Sequence, residues 1–470
     1  MARGRHAPLR DKTLDVSGTG HQAYIPAVWF VCCYVVLLLC IPTRLIVGPI
    51  GAPGTPANLF AIVGLIWWTC ALLGGLVMRR GPSPTRVLLG LFVVCVLASY
   101  ASGHFLGWYQ PADIHQRSDR RWAAADVVQV TEILSSAADR GVLYIAGWVG
   151  IALVTAEGLR SWRELDRVIT FIVGAASFVA SLGIIQYFTG RNLAAYLQLP
   201  GLTALADFGD ALSRSDLNRI VSTSAHPIEL GVVMSSVLPL ALHRSLHARR
   251  WLAWVPTLLI AVASLMSVSR SAVVVAAVAM LILFASWPWR WRLRAVMILP
   301  VAAVVGRAVL PGLLGTVRSL FTGLEHDPSI EGRTADYELV WRLIAERPLF
   351  GQGMSTFVPT VYRTIDNQGL GMLLELGLVG TAVFVLLVLT GVVGAWRPRR
   401  LGMPSERAHL GVAISASLSA IITSYVTFDA WAFRHVAGLS FLLIGLAGAV
   451  WHLSHDPGLG SPDGPASDDH

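Results

Sequence analysis

Three arginines and one carboxylate lie where apolar runs of this sequence begin or where the chain turns between two of them. They are Arg219, Arg270, Arg333 and Asp366. The guanidinium group keeps its charge and donates two parallel hydrogen bonds, which makes arginine a natural partner of phosphate and pyrophosphate. A site with several arginines, a base and no metal suits group transfer from a pyrophosphate-linked donor, because the cations stabilise charge on the leaving group.

Other polar residues near the same positions have structural as well as chemical interpretations. His226 precedes one apolar run and is an alternative base, while Asn367, Glu229 and Glu375 are predicted supporting residues. Ionisable groups at membrane depth are costly and indicate a function or a partner. The two glutamates are expected to pair with arginines as internal struts rather than to act in catalysis.

Simpler explanations exist for two of the four principal residues. Arg270 has the length to extend its side chain to lipid phosphate. Asp366 stands where the N-cap of a following helix is expected. Both alternatives remain open at the level of sequence.

Metals, cofactors and nucleic acid are not indicated. All five cysteines lie in the first three apolar runs, so neither a disulfide framework nor a metal site of cysteine and histidine spacing is expected. No cofactor motif is predicted. The net charge of +8 follows from arginines in short loops and does not indicate a nucleic-acid partner.

Composition defines the class of protein that must position these residues. The 470 residues are 54% hydrophobic and 14% charged, with a mean hydropathy of +0.62, whereas soluble domains carry about 25% charged residues. Apolar runs of about 20 residues recur, each long enough to cross a bilayer as a helix. We therefore predict an all-α, polytopic membrane protein of about twelve spans. They are placed near 25–42, 57–78, 87–105, 141–157, 168–188, 228–243, 251–268, 272–288, 295–310, 369–394, 410–427 and 433–452.

The loops predict the orientation. Five short connections between these spans contain sixteen arginines, and short loops dense in arginine stay in the cytoplasm. Both termini are then cytoplasmic, and the long segments 106–140, 189–227 and 311–368 face outside. The four principal residues all fall on this outer side, together with an amphipathic helix predicted over 331–347 that should lie in the membrane interface.

The predicted organisation has five parts. They are a cytoplasmic tail (1–24), N-terminal membrane helices (25–188), a core with the external loop 311–368 (189–394), C-terminal membrane helices (395–453) and a disordered cytoplasmic tail (454–470).

Four stretches resemble the O-antigen ligase and polysaccharide polymerase family of bacterial membrane glycosyltransferases. They are 219–240, which contains His226-Pro227; 269–272, Ser-Arg-Ser-Ala; 332–353, which ends in Pro-Leu-Phe-Gly-Gln-Gly; and 366–380, which contains Asp-Asn-Gln and Leu-Glu-Leu-Gly. Their order and spacing agree with the family between about 190 and 390.

The resemblance implies a fold, a reaction and roles for residues. The fold is a helical architecture like that of other lipid-donor glycosyltransferases. The reaction is a metal-independent, inverting transfer of a glycan from an undecaprenyl-pyrophosphate carrier at the outer face of the cytoplasmic membrane. By position, Arg219, Arg270 and Arg333 would bind the pyrophosphate. The family usually has histidine where this chain has Asp366, and a carboxylate can still serve as general base.

The sequence leaves the acceptor and two rival classes open. The acceptor is another lipid-linked repeat in a polymerase, or a lipid, a cell-wall glycan or a protein in a ligase. The single lysine among 36 basic residues inclines us towards a polymerase or a cell-wall glycan ligase. The rivals are a transporter of an anionic lipid-linked substrate, with charges near the midplane, and a non-catalytic envelope component. In the transferase interpretation, Tyr362, Arg363 and the helix at 334–347 position donor and acceptor.

Overall fold

The chain folds as an all-α bundle in a computed structural model. The structure describes residues 26–75, 83–107, 127–205, 213–214, 217–309, 337, 340–362 and 364–455. The predicted tail 1–24 and Arg333 of the predicted site lie outside these residues. The predicted tail 454–470 also lies outside them, apart from Ser454 and His455, which end the last helix. All statements below concern the described part of the chain.

Each of the twelve predicted spans corresponds to a helix. In chain order they are α1 (Ala27–Cys40), α2 (Pro56–Leu73), α3 (Pro84–Leu106), α4 (Val127–Gly158), α5 (Trp162–Thr189), α6 (Pro227–His247), α7 (Trp254–Met266), α8 (Arg270–Ser286), α9 (Trp289–Val309), α10 (Gln368–Ala395), α11 (Ser405–Thr423) and α12 (Arg434–His455). Helix α4 starts well before its predicted boundary, so part of the expected external loop 106–140 is helical.

Short elements connect the long helices. Residues 340–346 are helical, and we call them the loop helix. A four-residue helix, Arg397–Arg400, joins α10 to α11. Four two-residue strands, β1 (Leu45–Ile46), β2 (Thr203–Ala204), β3 (Ser213–Arg214) and β4 (Leu217–Asn218), form two antiparallel pairs, β1 with β2 and β3 with β4.

Length and hydropathy identify the described helices that could cross a membrane, whether they face lipid or other helices. Seven described helices, α2, α3, α4, α5, α10, α11 and α12, are long and apolar enough to cross a membrane. Helices α1, α7 and α8 are apolar but shorter. Helix α6 is buried along most of its length, and a helix enclosed by other helices can carry more polar residues than one that faces lipid. The chain is therefore a multi-pass membrane protein.

The core is built around α12, which is buried along almost its whole length. It packs on α4, where a Cβ added to Gly445 would lie 2.8 Å from the carbonyl oxygen of Ala152. Small residues permit this close approach of helices in membrane proteins. Helix α6 packs on α7, α8 and α11, and α10 packs on α3 and α12. The N-terminal ends of α6, α10 and α12 meet at one end of the bundle, which we call the site end.

Candidate functional site

The entry into α6 fixes His226. This residue has extended backbone angles and is the N-cap of α6, and its Nδ1 accepts a hydrogen bond of 3.1 Å from the backbone N–H of Ile228. Pro227 follows at the first helical position, where its missing N–H costs nothing and its φ suits a helix. The His-Pro pair therefore starts the helix and holds the imidazole ring at its mouth.

Arg219 lies against the junction between α7 and α8. Its side chain is buried, and its Nε donates a hydrogen bond of 3.1 Å to the carbonyl oxygen of Ser267. Ser267 ends α7, and Arg270 is the first residue of α8. Two of the three predicted arginines thus meet at one short turn, although about 50 residues separate them in sequence.

The turn itself is strained and tightly packed. Val268 has a φ of +47°, a conformation that costs a β-branched residue about 1–3 kcal/mol. Ser269 caps α8 by accepting from the N–H of Ala272. A Cβ on Gly231 of α6 would lie 2.3 Å from Oγ of Ser267, so only glycine permits this contact. The Nε atom of Arg270 is buried by protein atoms, which argues against a side chain that simply extends to lipid phosphate.

Asp366 is exposed at the start of α10, and it is not the helix cap. The N-cap is Asn367, whose side chain accepts from the N–H of Leu370 at 3.2 Å. The simpler explanation of Asp366 as a capping residue is therefore wrong. The next residue, Gln368, donates its N–H to the carbonyl of Phe428 and accepts from the N–H of Trp431 at 2.7 Å. These bonds attach the start of α10 to the segment between α11 and α12.

Electrostatic interactions connect His226 at the start of α6 with Arg219 and with Asp366 at the start of α10. Burial and the positive charge of Arg219 lower the pKa of His226 to about 4, while the negative charge of Asp366 acts in the opposite direction. His226, Arg219 and Asp366 are therefore within electrostatic range of one another. The structure brings together predicted residues from two segments of the chain, the approach to α6 and the start of α10.

The lowered pKa and the capping hydrogen bond together show which ring nitrogen of His226 carries the hydrogen. At neutral pH the ring is uncharged, and its Nδ1 already accepts the capping hydrogen bond. A neutral imidazole has one donor and one acceptor nitrogen, so the hydrogen is on Nε2. His226 can donate a hydrogen bond from Nε2, but it has no unoccupied acceptor for a substrate proton. This argues against the alternative in which His226 is the base.

A further carboxylate, Asp429, lies beside the site and is not among the predicted residues. Burial, together with the nearby charge of Asp366, raises the pKa of Asp429 from 3.8 to about 6, against hydrogen bonds from the N–H groups of Ala432 and Trp431. Phe433 of the same segment lies 6.0 Å from the ring of His226. Asp429 stands between the last two predicted spans, and the criterion of ionisable residues at span edges would have selected it.

The two glutamates act as struts, but their partners in the structure are backbone amides and not the expected arginines. Glu229 is fully buried and accepts from the N–H of Ala225 at 2.7 Å and from the N–H of His435 at 2.8 Å. It thereby connects the first turn of α6 to the first turn of α12. Glu375 accepts from the N–H of Phe357 at 3.3 Å. Backbone N–H groups at helix ends and in loops need acceptors when buried, and a carboxylate supplies them.

A break in α10 explains the glycine-rich motifs at 348–353 and 374–380. Gly377 has φ +67° and ψ −171°, a conformation accessible essentially to glycine. The segment 348–353 enters the break. The carbonyls of Pro348 and Leu349 accept from the N–H groups of Leu378 and Val379, and the N–H groups of Gln352 and Gly353 donate to the carbonyls of Leu374 and Glu375. Irregular backbone at membrane depth is tolerated when protein satisfies it, and these two motifs satisfy each other.

The loop helix packs through a face different from the predicted one. Val340, Leu343 and Ile344 are buried against α4 and the segment 361–374, whereas Tyr337 and Trp341 are exposed. The sequence places Tyr337, Val340, Trp341 and Ile344 on one apolar helix face, at i, i+3, i+4 and i+7. The actual face includes Leu343, because α4 extends far enough to cover that side.

Tyr362 belongs to the small core under the loop helix. It is buried and stacks on Phe357 with ring centroids 4.6 Å apart. Arg363, predicted to help position the substrates, lies outside the described residues, as does the start of the predicted helix at 331–336.

An apolar cavity of about 440 Å³ lies elsewhere, between α2, α3 and α4. Arg86 lines it and forms an ion pair of 3.2 Å with Glu157. None of the candidate site residues lines this cavity, so it is separate from the site described above.

Within the described part of the chain, one group of residues has the spacing of metal ligands. It consists of His243, His247 and His409, at the opposite end of α6 from His226. The sequence analysis does not predict this group, because His409 is far along the chain from the other two histidines. None of the candidate site residues belongs to this group.

Comparison with known families gives a match to part of the chain. Residues 255–385 match the model of the O-Antigen ligase family. The matched region contains the turn with Arg270, the position of Arg333, the glycine-rich segment 348–353 and the start of α10 with Asp366. It supports assignment of the chain to the O-antigen ligase and polymerase family, and with it a membrane glycosyltransferase role of ligase or polymerase type. A comparison with curated proteins finds no match.

Proposed function

We propose that this protein transfers a glycan from an undecaprenyl-pyrophosphate carrier to an acceptor hydroxyl at the outer face of the cytoplasmic membrane. The observation that carries the proposal is the meeting of Arg219, His226 and Asp366 at the site end, with Arg270 at the turn that Arg219 contacts. The family match at 255–385 supports the class of reaction.

In the proposed reaction, the acceptor oxygen attacks the anomeric carbon of the lipid-linked glycan from the face opposite the leaving group, and the configuration inverts. The new glycosidic bond forms as the bond between carbon and pyrophosphate oxygen breaks. Asp366 takes the proton of the acceptor hydroxyl, since an ionised carboxylate serves as a general base. The leaving pyrophosphate keeps the electron pair, and Arg219, Arg270 and Arg333 stabilise its charge.

The remaining site residues support this step. His226 donates from Nε2 to an oxygen of the donor, as its capped Nδ1 requires. Asn367 caps α10, and Gln368 holds the start of this helix, and therefore Asp366, against the segment that contains Asp429. Asp429 is a second carboxylate beside the proposed base. Glu229 and Glu375 fix the backbone around them.

The transporter alternative is less well supported. A transporter of this kind needs charges near the midplane, accessible from both sides. In the described part of the chain, the fully buried ionisable side chains all lie within about two turns of a helix end or in a connecting segment: Arg219, Glu229, His243, Glu375, His435 and His452.

The direct test is transfer by the purified full-length chain in lipid nanodiscs. A donor with a radiolabelled glycan on undecaprenyl pyrophosphate should yield a labelled product and free carrier pyrophosphate, both with and without EDTA. Loss of transfer in EDTA would contradict the metal-independent mechanism. Export of intact donor from one side of a vesicle to the other, without cleavage, would establish the transporter instead.

The acceptor class is tested in cells. In a deletion strain, accumulated single lipid-linked repeats would identify a polymerase, and accumulated long lipid-linked chains would identify a ligase. Mass spectrometry of the extracted lipids distinguishes the two. An unchanged lipid and glycan profile would contradict both.

Orientation has its own test, which compares the two ends of the bundle. Thr364 and Arg249 are exposed and lie near the site end and the opposite end, respectively. With a membrane-impermeant maleimide, Thr364→Cys should be labelled in intact cells and Arg249→Cys only after lysis. The reverse pattern would place the site in the cytoplasm.

A further inference from the structure

Three histidines meet at the end of the bundle opposite the candidate site. His243 and His247 are four residues apart on α6, so both lie on one face near its C-terminal end, and His409 lies in the second turn of α11. The ring centroids are 4.6 to 5.1 Å apart. One nitrogen from each ring lies within 4.8 Å of the others.

Hydrogen bonds fix the protons on these rings. The indole N–H of Trp287 donates to Nε2 of His409 at 2.9 Å, and indole is only a donor. The hydrogen of neutral His409 is therefore on Nδ1, which lies 2.9 Å from Nδ1 of His243 and donates to it. His243 thus offers an acceptor nitrogen towards the centre of the cluster, and one proton joins the two rings.

His247 is oriented as metal-bound histidines usually are. Its Nδ1 donates to the carbonyl oxygen of His243 at 2.9 Å, so its Nε2 has an available lone pair. A hydrogen bond from the second ring nitrogen to a backbone carbonyl fixes the tautomer and the ring plane of a ligating histidine. This bond exists within α6 and needs no metal.

We propose that His243, His247 and His409 form a binding site for one transition-metal ion of the zinc class, which joins α6 to α11. Neutral imidazole is a preferred ligand for Zn²⁺ and its neighbours. At Zn–N distances of about 2.0–2.1 Å, tetrahedral ligand nitrogens are about 3.3 Å apart. The two Nδ1 atoms, now 2.9 Å apart, would separate by a few tenths of an ångström as the metal replaces the shared proton. Three protein ligands leave a fourth position for water.

Nearby charges set the strength of the site. Arg244 lies next to His243, and its ion pair of 3.0 Å with Asp166 offsets its charge. Arg399 lies near His409 and donates to the carbonyl of Ser286 at 2.6 Å. These cations lower the affinity for a metal ion relative to a site with a carboxylate ligand.

Metal binding has a consequence at Trp287. When Nδ1 of His409 becomes a ligand, its hydrogen moves to Nε2, and the indole N–H loses its acceptor. The Trp287 hydrogen bond therefore competes with the metal. Trp287→Phe keeps an aromatic ring but removes the donor, and it should bind zinc several-fold more tightly than the wild type.

The test uses the full-length chain purified in detergent with an affinity tag that contains no histidine. Wild type should bind one equivalent of Zn²⁺ in isothermal titration and gain a saturable increase in melting temperature. His247→Gln and His409→Gln should lose both effects. The matched control is His455→Gln, an exposed histidine at the same end of the bundle, which should bind zinc as the wild type does.

A second variant keeps the test decisive if the glutamine substitutions unfold the protein. His247→Cys should bind Co²⁺ and develop a thiolate-to-cobalt charge-transfer band that the wild type, with its five native cysteines in α1 to α3, does not show. Absence of zinc binding by folded wild type, or equal binding by His247→Gln, would overturn the proposal. Transfer activity is independent of this outcome, because the cluster contains no residue of the site end.

Discussion

The two ends of α6 carry polar groups in opposite ways. At the N-terminal end, charged groups surround an uncharged histidine. They come from turns and helix starts, and strained or broken backbone holds them. At the C-terminal end, the polar groups are three imidazoles on the faces of two regular helices. About 25 Å of helix separates His226 from His243. The comparison indicates that the chain uses irregular backbone at the site end, where the proposed reaction takes place, and regular packing at the other.

The first prediction concerns the base. Asp366→Asn removes the proposed proton acceptor and should lower the transfer rate by about 10²- to 10⁴-fold, the usual contribution of general-base catalysis. The rate is measured with a labelled lipid-linked donor at a saturating concentration. Asp366→His should retain part of the activity, since imidazole also accepts a proton.

The control for this substitution is Glu406→Gln, an exposed carboxylate at the opposite end, which should transfer at the wild-type rate. If Asp366→Asn is as active as the wild type, the base is another group, and Asp429 becomes the first residue to test.

The second prediction concerns the arginine at the α7–α8 turn. Arg270→Ala should reduce transfer by about 10²- to 10³-fold, because one donor to the departing charge is lost. Arg270→Lys keeps the positive charge but lacks the planar guanidinium, so its transfer rate should lie between those of the wild type and Arg270→Ala. Arg249→Ala, exposed at the opposite end, is the matched control. Equal rates for the two alanine variants would remove the functional contrast between the ends.

The third prediction concerns the break in α10. Gly377→Ala places a Cβ 2.4 Å from the backbone of Leu349 and forces an unfavourable φ. We expect a loss of about 3 kcal/mol or more in the free energy of unfolding, measured as a lower melting temperature in detergent. Gly371→Ala, in regular helix with its nearest contact at 3.6 Å, should change stability little. A Gly377→Ala variant as stable as Gly371→Ala would show that the break is not required.

The smallest expected effect is a dependence of the folding stability on pH that is caused by Asp429. Because its pKa is raised from 3.8 to about 6 in the folded chain, the folded state retains this proton longer than the unfolded state. The stabilisation is complete below the unfolded pKa and is lost as pH rises through the folded pKa. The Asp429→Asn variant has no carboxyl group here to lose a proton, so it does not lose this stabilisation as the pH rises. Its melting temperature relative to the wild type should therefore rise between about pH 4 and pH 6.

His226 changes the folding stability with pH in the opposite direction. Because it does so equally in the wild type and in Asp429→Asn, its effect cancels when the two melting temperatures are compared. Its pKa is lowered to about 4, so the stability it contributes is lost as pH falls from about 6.5 towards that value in both proteins. A melting-temperature difference that stays constant across this range would show that Asp429 is not buried beside Asp366.

The sequence by itself determined the class of protein and the approximate position of each helix. Runs of about 20 apolar residues must be shielded from water, and a helix satisfies its own backbone hydrogen bonds in lipid, so all twelve predicted spans correspond to helices. Local chemistry also identified His226-Pro227 and Ser269-Arg270 as positions at helix starts. Four short motifs in a consistent order were sufficient to indicate the family.

Only the tertiary structure decided which of these residues meet. The contact of Arg219 with Ser267, the pairing of 348–353 with the break at Gly377, and the approach of Asp429 to Asp366 join segments far apart in sequence. Hydropathy contains no information about which helices are neighbours, because lipid and protein interiors are equally apolar. For the same reason the three histidines could not be grouped from sequence: His243 and His247 share a helix, but His409 joins them only when α6 packs on α11.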